Sequence, residues 1–374
     1  MLMNLKKGFL FATATAVLLG LASAGAKAQQ VVDYGKVGDP VKLVIGYQPY
    51  YTEAWSGVVM RGKKFYEKYL PKGSTVEFQV GLQGSIIVNN MLAAKQHIGY
   101  MGDMPSIVST TKSEVADIRL VAVLGLGKDQ CNIVLTSVDA PDFKSPIEAM
   151  KWMNGKTIAA PKGACTDRFV QEALRKESVK PEAYLNQNIE VITSNFRAKK
   201  IDAAAIWEPT ASRLVEEGLA KRVASGYSLG ISDGGFLAMR ADLIKARPDV
   251  AQAWLNAELD AQLFMADPKN AKEVIDIAMS QTTGFTRTTM MRALYGAYPD
   301  QNGSKLRFVL PYTFTPDSRE LINNATVFLR DIKTINVDKL KPDAIVSEFA
   351  DKALQARKIS APIGSVPVIN PLPQ

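Results

Sequence analysis

Short apolar runs rich in β-branched residues alternate with longer amphipathic stretches along much of the chain. Lys42 to Gly46 reads as a first strand, followed by the loop Tyr47-Gln48-Pro49-Tyr50-Tyr51. Thr52 or a neighbour would cap a helix through Trp55 to Tyr69. Val76 to Val80 is a second strand. Ser85 is placed to cap the next helix, where Ile87, Met91 and Leu92 share one face. Ile98 to Met101 is a short strand before Gly102-Asp103, and Arg119 to Leu124 is another apolar run. Strand alternating with helix predicts an α/β fold with a mostly parallel sheet.

The pattern restarts after Asp129. Asn132 to Thr136 and Thr157 to Ala160 read as strands with a helix near Pro146 to Met153 between them. Thr166 or Asp167 would cap a helix ending at Lys176, Ile189 to Ile192 and Ala203 to Ile206 read as strands, and Pro209 to Gly218 as a helix. Phe236 to Met239 is a last strand, suited to carrying the chain back to the first half. Helices are then predicted over 248–266, 268–281, 286–295 and 316–332, before a proline-rich tail from Ala361 that reads as an irregular strap. An echo supports two similar lobes. QGSIIVNNMLAAKQHIGYMGDMPS from Gln83 and RAKKIDAAAIWEPTAS from Arg197 each run from Ala-Lys through a short strand to an acid and a proline. The expected division is 40–130 with 235–360 as lobe one, 131–234 as lobe two and 361–374 as the strap. Hinges fall near Asp129 and Ser232 to Gly235.

Composition changes this picture mainly at the N-terminus. Lys6-Lys7, the apolar run Gly8 to Leu21 and Ala26-Lys27-Ala28 have the form of a secretory signal peptide over 1–28, with Ala22-Ser23-Ala24 as a second cleavage site. Its removal would leave about 346 residues and lower the net charge from +8 to +5, since three lysines leave with it. A modest excess spread along the chain is not a nucleic-acid footprint. With a single histidine, His97, and no phosphate-binding or hydrolase motif, no metal, cofactor or catalytic residue is expected. Cys131 opens one strand and Cys165 follows another. If those strands pair antiparallel, the two cysteines share a sheet end and either form a disulfide or remain two separate buried thiols.

The ordered series GYQP, the QGS loop, YMGDMPSI, GKTIAAPKGACTDRF, KKIDAAAIWEP and FLAMRADLIKARPDVAQAWLNAELDAQ resembles the periplasmic solute-binding proteins of the nitrate, sulfonate and taurine class of ABC importers. The resemblance covers roughly residues 42–285, and more weakly to about 350. It implies a type II two-lobed fold with a hinged cleft. It also implies a periplasmic, monomeric protein that binds a small molecule for an inner-membrane permease with a separate ATPase. Two departures stand out: His97 occupies a position where such proteins usually carry an aspartate, and Cys165-Thr166-Asp167-Arg168 replaces small hydroxyl residues.

Three helix starts could supply backbone N–H donors to an anion: Thr52-Glu53, Gly84-Ser85 and Cys165-Thr166. Tyr47, Tyr50, Tyr51 and Trp207 are candidate walls, with Gln48 and Gln83 as amides beside them. Asp103, Asp167 and Glu208 fall on the same loops and would repel a bare oxyanion unless they pair with Arg168 or meet a cationic group on the ligand. That favours an organic anion or a zwitterion, such as an amino-sulfonate, over an inorganic ion. The rival readings are an enzyme like the related thiamine-pyrimidine synthases and a periplasmic partner that presents ligand to a sensor.

Overall fold

A computed structural model describes residues 32–301 and 303–373; the predicted signal peptide lies outside the described residues. Twelve strands are described: β1 Lys42–Tyr47, β2 Thr75–Val80, β3 Ile98–Gly102, β4 Ile118–Gly127, β5 Ile133–Ser137, β6 Thr157–Ala160, β7 Ala183–Asn186, β8 Ala203–Ile206, β9 Ala220–Ser225, β10 Asp233–Arg240, β11 Leu306–Leu310 and β12 Gly364–Pro367. They form two sheets, ordered β12-β11-β4-β10-β3-β1-β2 and β7-β6-β8-β5-β9. The chain therefore enters the first sheet, leaves after β4, builds the second, and returns as β10, all eight of whose residues are buried. Helices flank both sheets, and the longest, Pro248–Ala266, buries Trp254 and Leu255 in the core of the first lobe.

Both sheets are mixed rather than mostly parallel. The ladders of β1 with β2 and β3, and of β6 with β7 and β8, are parallel. The ladders that β10, β4, β5 and β11 make are antiparallel. The strand that follows each crossing, β5 into the second lobe and β10 back into the first, runs against the βα repeats of its sheet.

Several local expectations are corrected. Ile189 to Ile192 is not a strand but the start of the helix Ile189–Arg197: the Asn188 side chain accepts from the Val191 amide at 2.9 Å, and Ile192 and Phe196 are buried one helical turn apart. The strand lies just before it, at β7. The helix expected to Tyr69 ends at Lys63, where Lys64 takes a left-handed φ of 53°, and a 3-10 turn follows. Asp103–Thr110 is a helix rather than a loop. The C-terminal tail is not wholly irregular, since β12 pairs with β11 and buries Val366.

The lobe echo has a physical counterpart. In lobe two the Asp202 amide donates to Thr157 O at 3.0 Å while its carboxylate accepts from the Thr157 amide at 2.8 Å. In lobe one the His97 amide donates to Val44 O at 2.8 Å and its Nδ1 accepts from the Val44 amide at 3.1 Å. His97 thus does the aspartate's structural work as a neutral acceptor, and burial lowers its pKa to about 4.

Candidate functional site

Where the two lobes face each other they enclose a cavity of about 40 Å³. Gln48, Tyr51, Gln83, Gly84, Ser85, Gly102 and Pro105 line it from the first lobe, and the loop 161–165 with Trp207 from the second. Of the residues singled out in the sequence, Gln48, Tyr51, Gln83, Gly84, Ser85, Cys165 and Trp207 meet there. Tyr47, Asp103, Thr166, Asp167 and Glu208 do not line it.

The cavity's donors come from backbone. The helix Gly84–Leu92 starts from an extended Gln83, and the helix Cys165–Lys176 from an extended Ala164; neither start is closed by a side-chain cap. Their first amides, on opposite lobes, line the same space, and that arrangement suits an anion. Ser85 and Thr166 are therefore not the caps that the sequence suggested. Glycine is required at 84, where a Cβ would come within 2.3 Å of Pro105 Cγ. The Gln48 amide is buried and its Oε1 has no hydrogen-bond partner. Turned over, that amide presents two N–H donors at the same place. The third predicted helix start is not a donor site: Thr52–Ala54 is a buried 3-10 turn, with Thr52 Oγ1 donating to Gln130 Oε1 at 2.6 Å.

Trp207 and Tyr51 form one wall, edge to face with centroids 6.4 Å apart, and Trp207 Nε1 donates across the cleft to Tyr50 O at 2.9 Å. Tyr47 instead packs edge-on against Phe78 and accepts from Arg61 at 2.5 Å, away from the cavity.

All three suspected acids turn away from the cavity and are satisfied within the protein. Asp103 accepts from Arg168 Nη2 at 2.9 Å, and the same nitrogen donates to Ser232 O at 2.7 Å, so Arg168 ties lobe two to lobe one and to the returning crossing. Asp167 holds its own loop, accepting from the Gly163 amide at 2.8 Å, Gln171 Nε2 at 2.8 Å and Tyr184 OH at 2.6 Å. Glu208 accepts from the Ser212 amide and hydroxyl, both at 3.0 Å, and from Tyr298 OH at 3.0 Å. The cationic ligand group that these acids seemed to call for loses its premise. The one charged side chain lining the cavity, among the described residues, is Lys162, which the sequence reading had passed over.

Behind the cavity lies a dense charge network. Fully buried Asp129 accepts from Arg307 at 2.7 Å, Gln301 at 2.8 Å and Arg222 at 2.9 Å, and Arg222 also meets Asp300 at 3.0 Å and Glu208 at 3.4 Å. Burial opposes ionisation of Asp129, but the two guanidiniums prevail and lower its pKa. Asp233, on the returning crossing, accepts from the Cys131 and Asn132 amides at 2.6 and 3.0 Å, yet burial pushes it up to about 7. Glu53, also fully buried and facing Asp233, is raised well above the ordinary range for the same reason. Cys131 and Cys165 are joined as a disulfide with Cα atoms 6.0 Å apart, anchoring the cavity's second helix start to the outgoing crossing. The two strands do not pair as expected, because β8 lies between β5 and β6; they still run antiparallel, so both sulfurs sit at one sheet end.

Fold and cleft together define a two-lobed α/β scaffold of the kind that holds a small molecule between its halves. The NMT1-like family is matched over residues 37–279, and the chain belongs to it. It is 26% identical over 229 residues to a protein of Escherichia coli (strain K12) named for aliphatic sulfonate binding, a match spanning 60% of this chain and 67% of that one. It is also 26% identical to a binding protein of Brucella abortus (strain 2308), spanning 48% of this chain and about half, 52%, of the relative. Among solved structures, the alkanesulfonate-binding protein of Xanthomonas axonopodis pv. citri, bound to MOPS, superposes with a TM-score of 0.66 at 17% identity, covering 83% of this chain and 99% of that one. The periplasmic nitrate-binding protein of Synechocystis PCC 6803 gives 0.64 at 17% identity, covering 85% and 89%. A desulfurization enzyme shares the fold with a TM-score of 0.59 at 14% identity, covering 84% and 99%.

Proposed function

We propose that this chain is the ligand-capturing component of an ABC import system. It takes a small organic anion into the interlobe cleft and presents the closed form to an inner-membrane permease served by a separate ATPase. The carrying observation is the convergence of two uncapped helix starts and an unpartnered buried amide, Gln48, on one cavity that no carboxylate lines. Such fixed dipoles favour negative charge without a full counter-charge beside it. The relatives named for sulfonate and nitrate binding support the same ligand class. The same proposal makes the protein periplasmic, monomeric and freed of residues 1–28; among the described residues no helix is long and apolar enough to cross a membrane.

Binding without catalysis is the reading we favour over the enzyme. The thiol nearest the cavity, Cys165, is tied to Cys131, and His97 is held as a backbone acceptor in lobe one. We take the lobes as 40–130 with 235–360 and as 131–234; the two sheets support a division near these bounds, with β10 starting at Asp233 and β12 joining the first sheet from the strap. A thermal-shift screen of the mature protein against sulfonates, carboxylates, nitrate, bicarbonate and amino acids tests the proposal. A ligand at a hundred times its Kd should stabilise the fold by about 2.7 kcal/mol. The proposal fails if no anion raises the melting temperature, or if purified protein converts one.

A further inference from the structure

The inner cavity is too small for a whole organic ligand. At about 40 Å³ it has room for roughly three water molecules, the size of an acidic head group. Gln83 and Trp207 form part of its wall, and the same two residues also line a second, outer chamber of about 420 Å³. That volume lies within the range of ordinary small-molecule sites.

The outer chamber has a different chemistry. Its walls are Tyr50, Leu82, Ile189 and Phe285, with Tyr50 and Phe285 centroids 6.0 Å apart. Leu82 is 43% exposed although it is a large aliphatic residue at a cleft mouth, which leaves apolar surface for a ligand to cover. Arg213 lies over the Phe285 ring at 4.8 Å. Its hydrogen bonds, to Gly284 O and Thr193 Oγ1, are both long at 3.4 Å, and its nearest carboxylate, Glu217, is 3.9 Å away. Glu190 also lines the chamber, so Arg213 is not its only charge.

We propose that the ligand is an elongated organic anion: one acidic head in the inner cavity, and a flat, uncharged aromatic body in the outer chamber along Tyr50, Leu82 and Phe285. Arg213 then offers its guanidinium face to the ring, as it already does to Phe285. This rests on capture of an anion by the inner cavity, and it narrows the ligand class from anions in general to aryl acids.

Calorimetric titration of the mature full-length protein with methanesulfonate and benzenesulfonate tests it. Benzenesulfonate should bind at least about tenfold tighter, since burying several ring carbons is worth well over one factor of ten. Leu82→Ser, on an exposed side chain, should cut that preference about threefold or more while leaving methanesulfonate unchanged, and Phe285→Ala should cut it further. Equal affinities for the two sulfonates, or a preference that survives both substitutions, overturns the two-chamber assignment and leaves anion capture standing. Failure of both sulfonates, and of nitrate and acetate, to bind at all overturns the anion-capture reading beneath it.

Discussion

Two polar regions lie back to back between the lobes, and they are built on opposite principles. The cavity is lined by neutral dipoles: the amides opening the helices at Gly84 and Cys165, the side-chain amides of Gln48 and Gln83, and Lys162 as its single charge. The hinge behind it concentrates full charges, with Asp129, Glu208 and Arg307 out of water, Arg222 nearly so, and all four bonded into one network. The cavity leaves Gln48 Oε1 open to a ligand, whereas the hinge is densely cross-bonded, although Arg307 Nε and Asp233 Oδ1 have no partner there. The carboxylates near this cleft serve the architecture, and recognition falls mainly to groups that carry no net charge, with Lys162 the one charge beside them. A buried charge cluster adds little net stability but penalises the loss of any member, which holds one arrangement of the crossings.

The comparison breaks first, and with the largest effect, at Asp129. Asp129→Ala leaves Arg307 and Arg222 buried without their common acceptor and should destabilise the protein by about 3–5 kcal/mol in denaturant melts. The folded fraction should keep its anion affinity. A loss well under 1 kcal/mol would show that the hinge network is not the structural element described here.

Next comes pH. Unfolded, Asp233 ionises near 3.9, and folded, burial moves it to about 7. The folded state therefore holds the extra proton in between. The stability that this group contributes is complete below about pH 4 and is lost as pH rises to about 7, by as much as about 4 kcal/mol. His97 acts in the opposite direction. Its folded pKa is lowered to about 4, so its contribution is lost as pH falls from about 6.5. The difference between wild type and Asp233→Asn melts isolates the first effect, and that difference should change steadily between pH 4 and 7. A flat difference would contradict the burial argument.

The smallest effect is the most diagnostic. Gln48→Leu removes an unsatisfied buried amide and should leave stability unchanged or raise it by about 1 kcal/mol, while weakening anion binding about fivefold through the lost donor. The same substitution strategy at the hinge would do the reverse. A Gln48→Leu protein that is less stable but binds normally would place this residue among the structural groups.

Much of the fold was legible because burial writes itself into periodicity. β1, β3, β6 and β8 are short apolar runs, and the return of the chain through β10 could be read from FLAM alone. The strand placed at Ile189 was misread because IEVI satisfies a strand as well as the first turn of a helix, and only the Asn188 cap and the later Phe196 separate the two. At the site, loop position was legible but side-chain direction was not. Asp103 and Asp167 fall in the first turns of helices that open at the cleft and Glu208 on a loop beside it, yet each finds a partner distant in sequence, Arg168, Tyr184 and Tyr298, that no local pattern reveals. Gly102, Pro105 and Ala164 line the cavity by backbone proximity, for which residue type gives no signal.

The central claim is that an anion is held in the cleft by neutral dipoles. Isothermal titration of the mature protein with benzenesulfonate, in two buffers of different ionisation enthalpy near pH 7, tests it most directly. The account predicts saturable binding to one site with the same heat in both buffers, since among the described residues no carboxylate or imidazole lines the cavity. Absence of binding, or a heat that differs between buffers by the uptake of a proton per ligand, would contradict it.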